Sequence, residues 1–81
     1  MIKVLFFAQT RELVGQADLE LPCTFATLDE LRGDLAKRSE KWALAMDSDR
    51  LLAAVNQTIV ALDSEIHDGD EIAFFPPVTG G

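Results

Sequence analysis

The sequence predicts an α+β domain: a mixed sheet packed on one main helix plus a short second helix. Three observations carry this reading. Short β-branched and aromatic runs open and close the chain and recur after residue 50. A capped segment with a leucine stripe lies between them. The chain has 81 residues, enough for one core of two packed layers and too few for a second domain. Its apolar content of 48% and charged content of 26% are those of an ordinary globular protein, which sets aside disorder and low-complexity classes.

The first element, Ile2 to Ala8, reads as a strand with Ile2, Val4 and Phe6 on one face and Lys3, Leu5 and Phe7 on the other. Lys3 marks the outer face, so Phe7 is expected toward solvent. Gln9 to Val14 can form a helical turn closed by Gly15, which suits a left-handed C-terminal position. Ala17 to Leu21 is a second strand, ended by Pro22. Thr27-Leu28-Asp29-Glu30 is a capping box, with Thr27 accepting from the Glu30 amide and the Glu30 side chain returning to the Thr27 amide. The main helix that follows places Leu28, Leu31 and Leu35 in one stripe, and Lys37-Arg38 in its last turn suit the dipole. Ser39 to Met46, with Trp42, Ala43 and Met46, is the short second helix on the core, and Asp47-Ser48-Asp49 turns out of it.

Leu51 to Val55 and Thr58 to Leu62 form a hairpin about Asn56-Gln57. Asp68-Gly69-Asp70 is the next turn. Glu71 to Phe75 is the last strand, with Ile72 and Phe74 on one face and Ala73 and Phe75 on the other. Pro76-Pro77 cannot donate to a ladder, so pairing stops there. The resulting order, β-β-α-β-β-β, is that of a β-grasp, or ubiquitin-like, fold. In that fold the first and last strands are parallel neighbours, which would set Phe7 and Phe75 side by side as an apolar docking surface. The expected organisation is a domain over 1–77 and a flexible tail over 78–81.

Composition narrows the function. Fourteen acidic against seven basic residues give a net charge of −7, which repels nucleic acid and anionic membranes and favours a basic protein partner. Cys23 is the only cysteine, so disulfides, redox pairs and cysteine-based metal sites are excluded. No metal is expected elsewhere: the acids around Asp47 lack the glycine and the terminal glutamate of a calcium loop. His67 is the only histidine and reads as a turn residue, with no nucleophile beside it. No signal peptide or membrane span is legible, and the expected location is the cytoplasm. Without a glycine-rich phosphate loop, the chain is expected to bind no cofactor of its own.

The feature with most chemical content is the tail Val78-Thr79-Gly80-Gly81. Glycine lacks a Cβ, so Gly80 and Gly81 can enter a channel that other residues cannot. An α-carboxylate on Gly81 is ionised at neutral pH and can attack an activated phosphate. Four residues beyond Pro77 reach at most about 14 Å, enough to place that carboxylate in another protein's active site.

Lys3-Val4-Leu5-Phe6-Phe7-Ala8, Ala54-Val55-Asn56-Gln57 and, above all, Gly69 to Gly81 resemble the family of small sulfur-carrier subunits of molybdopterin synthase. The resemblance implies that Gly81 is adenylated by an ATP-using activating enzyme and converted to a thiocarboxylate with sulfur from a donor. It implies that the carried sulfur attacks a cyclic pyranopterin monophosphate on a large subunit, two sulfurs building the dithiolene that holds molybdenum. The chain would then be no enzyme on its own, and the working unit a heterotetramer with two of each subunit. Gly81 carries the sulfur and Gly80 is the slender lead-in. Phe7 and Phe75, with Ile59 as a further member, form the docking patch, and Pro76, Pro77, Val78 and Thr79 lead from it to the glycines. Arg11 is a candidate partner for an acidic or phosphate group. Three other readings share these residues: a sulfur carrier for thiamine thiazole synthesis, a ubiquitin-like modifier joined to lysine, and a non-catalytic interaction module.

Overall fold

The computed structural model describes residues 1–77. Five strands, β1 (Ile2–Phe6), β2 (Asp18–Leu21), β3 (Leu52–Val55), β4 (Thr58–Val60) and β5 (Glu71–Phe75), form one sheet in the order β2-β1-β5-β3-β4. β1 and β5 run parallel at its centre, with Val4 opposite Ile72 and Phe6 opposite Phe74, and the remaining pairs are antiparallel. Three α-helices accompany the sheet: α1 (Ala8–Val14), α2 (Leu28–Ala36) and α3 (Glu40–Ala45), with a 3-10 turn at Ser48–Arg50. This is the mixed, two-layer β-grasp that the element order predicts.

The core lies between the sheet and the helices. Ile2, Val4, Phe6, Ile72 and Phe74 project from the two central strands against Leu28, Leu31 and Leu35 of α2, and all eight are buried. The Phe6 ring meets Trp42 of α3 edge-on at 5.4 Å and stacks on Phe74 at 6.4 Å, geometries that aromatic pairs favour. Arg38 covers the Trp42 ring at 5.0 Å, a cation–π contact. Cys23 is half-buried, its thiol directed to the Phe25 carbonyl.

Several local expectations are corrected. The first strand ends at Phe6, because Phe7 is the N-cap of α1 and Ala8 takes a positive φ of 51°. The turn expected over Gln9–Val14 is therefore a full helix, comparable in length to α3 and closed as expected by Gly15 at φ 77°. In the capping box, Thr27 accepts from the Glu30 amide, but the Glu30 carboxylate receives the Ala26 amide, one residue earlier than predicted. α2 ends at Ala36, which leaves Lys37 as its C-cap and Arg38 beyond it, outside the last turn. In α3 the buried residues are Trp42 and Ala45, while Ala43 is exposed. Helical spacing explains this, since i and i+3 share a face and i and i+1 do not.

A polar clasp fixes the start of β5. Asn56 and Gln57 both have positive φ, 50° and 71°, as a two-residue hairpin turn requires. The Asn56 side chain donates to Asp70 Oδ1 and accepts from the Glu71 amide, both at 3.0 Å, and its backbone amide donates to the Glu71 carbonyl. The His67 amide donates to Asp70 Oδ2 at 2.8 Å. That bond first, and the Asn56 amide second, hold the Asp70 carboxyl below its ordinary pKa. Asn56→Gly keeps the left-handed backbone accessible but removes two side-chain bonds, and should cost about 1–2 kcal/mol in denaturant titration. Asn56→Ala should cost more, because alanine resists positive φ. A carboxyl with a depressed folded pKa stabilises fully above its unfolded value, near about 3.9, and loses that contribution as pH falls through the folded value. Acid titration of Asp70→Asn should therefore show a shallower loss of stability below that pH than the parent shows.

Candidate functional site: the outer sheet face at the end of β5

Strand parity divides the sheet. With Val4, Phe6, Ile72, Phe74 and Ala53 turned inward, the alternate residues Leu5, Ala73 and Ala54 line up across the outer face, and Ala54 stands opposite Ile59. At the end of β5, Phe75 stands opposite Leu52. Phe7 follows β1 on the same edge, its amide donating to the Phe74 carbonyl at 3.2 Å. Phe7 is 48% exposed, Ile59 66% and Leu52 37%, while Phe75 is half-buried. Large apolar side chains left this open form a surface suited to another protein.

Of the residues expected in the site, Phe7, Phe75 and Ile59 lie on or beside this face. Phe7 stands outside the ladder, since the chain turns into α1 there, and the aromatic ring pairs among the described residues are those of Phe6. The positive φ of Ala8 makes that turn. It costs about 1 kcal/mol or more for a residue with a Cβ and ends the strand one residue past Phe6, with the Phe7 backbone still extended and bonded to Phe74. Pro76 is half-buried and Pro77 exposed, directly after the last ladder residue. Val78, Thr79, Gly80 and Gly81 lie outside the described residues. Arg11 lines an open cleft with Ala8, Glu12 and Gly15 beside α1.

Sequence reading missed Leu52. Its parity was available once β3 was paired with β5, because the residue opposite an outward Phe75 must also face outward; the pairing partner was the missing piece. Among the described residues no three His, Cys, Asp or Glu side chains gather as a metal site, and no helix is long and apolar enough to cross a membrane. His67 is exposed, about 4 Å from the carboxylates of Glu65 and Asp70. The apolar rows of the face thus offer contact and shape.

A small β-grasp domain whose central strand β5 ends in Pro76-Pro77 beside an apolar face has the fold of a ubiquitin-like protein. The chain belongs to the ThiS family, whose model matches residues 4–81. Over all 81 residues it is 59% identical to the molybdopterin synthase sulfur carrier subunit of Escherichia coli K12, covering the whole of both chains. The corresponding subunit of Haemophilus influenzae is 56% identical over the same full length. Among solved structures, the chain is similar to one in the protein–protein complex of subunits 1 and 2 of molybdopterin-converting factor from Helicobacter pylori. That match has a TM-score of 0.67 and 27% identity, covering 99% of this chain and 97% of that one.

Proposed function

We propose that this chain is the sulfur-carrier subunit of a molybdopterin synthase, a non-catalytic partner that brings sulfur to a pyranopterin substrate held by a large subunit. The observation that carries the reading is the unbroken similarity at 59% identity over the full length of a carrier subunit, with the family match running through Gly81. The geometry agrees in kind. The central strand β5 ends in Pro76-Pro77 beside an exposed apolar face, which suits adhesion to a partner.

On this reading the Gly81 carboxylate attacks the α-phosphate of ATP on an activating enzyme, releasing pyrophosphate. A sulfur donor then displaces AMP to leave a thiocarboxylate. The tail enters the large subunit's active site, where sulfur attacks a carbon of the cyclic pyranopterin monophosphate and displaces an oxygen substituent; water then cleaves the resulting thioester, leaving sulfur on the pterin and a free carboxylate on Gly81. A thiocarboxylate is anionic at neutral pH and a better nucleophile at sulfur than a carboxylate is at oxygen. Holding it on a slender tail in a closed tunnel excludes water and orients the attack. Val78 and Thr79 span the distance, and Gly80 and Gly81 pass the narrowest section. The assembly is a heterotetramer with two of each subunit, the chain itself binds no cofactor, and the location is cytoplasmic.

Deletion of Gly81 should leave stability within about 0.5 kcal/mol of the parent and abolish molybdopterin formation. In a mixture of chain, ATP and sulfur donor, mass spectrometry should find thiocarboxylate only after the activating enzyme is added, and never on the deleted chain. Wild-type turnover by the deletion would end the carrier reading. Phe75→Arg should weaken binding to the large subunit by more than about 2 kcal/mol in titration calorimetry, as at a central hot spot. Phe7→Arg, at a more exposed position, should weaken it without disturbing the fold. Unchanged affinity in both would remove the apolar face from the interface.

A further inference from the structure

The outer face carries a second zone. One step along the strands from the apolar rows, register places Lys3 of β1 between Glu20 of β2 and Glu71 of β5. The three side chains therefore form a transverse row of alternating charge, acid–base–acid, on the same face as Leu5, Ala73 and Phe75. Opposite charges held opposite one another across strands ordinarily pair. Here, among the described residues, the ion pairs are those of Met1 with Asp68, Arg32 with Asp29, and His67 with Glu65 and Asp70, and none involves the row. Lys3 and Glu20 are exposed and Glu71 is half-buried.

We infer that this row sets the register of docking, and that its occupant is a partner protein surface bearing a complementary row, with basic groups against Glu20 and Glu71 and an acidic group against Lys3. The inference rests on the docking proposed above and deepens it. An apolar patch adheres but does not fix position within its own plane, because hydrophobic attraction is non-directional. A tail that must thread a narrow channel needs that position fixed. Neighbouring strands are about 4.8 Å apart, so sliding the partner by one strand brings like charges together at both of the sites that still overlap and leaves the third unopposed. A uniformly acidic row would not penalise that slip. Charge patterns of this kind give specificity and orientation more than raw affinity.

The pattern separates this inference from simple attraction between an acidic carrier and a basic partner. The chain has net charge −7, so replacing any lysine by glutamate should, by net charge alone, leave association with a basic partner unchanged or faster. If the row reads register, Lys3→Glu should do the opposite and weaken binding to the large subunit at low ionic strength by at least about 5-fold, an effect that shrinks at about 1 M salt as charges are screened. Lys41→Glu, an exposed position on α3, makes the same change of net charge away from the sheet and should not weaken binding. Lys3→Gln introduces no acid between Glu20 and Glu71, so it guards against a folding defect and should show a smaller loss in the same direction. Binding kinetics measured for these variants beside Phe75→Arg decide the matter. If Lys3→Glu and Lys3→Gln bind like Lys41→Glu while Phe75→Arg binds weakly, the row has no role and the docking reading stands. If Phe75→Arg also binds normally, the docking reading itself has failed.

Discussion

The parallel pairing of β1 with β5 at the centre of the sheet is the constraint from which the rest of the molecule follows. Parallel strands need a long crossover, and everything from α1 to the Asn56 hairpin lies between these two in sequence. Both are buried on their inner faces by the same α2 leucines, so neither can slip without turning Phe6 or Phe74 out of the core. Parallel direction has a functional consequence as well. Both strands end at the same edge, so Phe7 and Phe75 emerge there together, with Pro76 and Pro77 directly after Phe75.

The two faces divide the work. The inner face holds nearly all the large buried side chains. The outer face carries exposed Phe7, Leu52 and Ile59 and a charged row that forms no ion pair among the described residues, features that would be liabilities on a protein without partners. The clasp of Asn56 on Asp70 and Glu71 anchors the far end of β5. That strand is therefore held at its start by hydrogen bonds and along its length by two neighbours, a firm base for the Pro76-Pro77 segment that follows it.

Where the sequence signal was periodic or conformational, the structure was legible in advance. The Leu28, Leu31, Leu35 stripe, the Asn56-Gln57 turn and the left-handed Gly15 each rest on one local rule, and each is present. α1 was harder to read: its N-cap is Phe7, which offers no side-chain acceptor, and its seven residues are too few to show a period. Trp42 and Met46 are buried as expected but Ala43 is exposed, because a two-turn helix offers several apolar spacings and only packing against Phe6 selects Trp42's face. Of the candidate site, Phe7 and Phe75 followed from strand parity alone. Leu52 and the Glu20–Lys3–Glu71 row did not, because both exist only once non-adjacent strands are paired.

On the proposed function, the domain presents one reactive terminus for loading and unloading with sulfur. The most direct measurement is the intact mass of this chain isolated from its native host with the large subunit removed, so that loaded carrier cannot discharge. A population heavier by the replacement of one oxygen with one sulfur, confined by fragmentation to Gly81, is the predicted result. A chain found only as the free carboxylate, in cells that still hold its activating enzyme and a sulfur donor, would contradict the account.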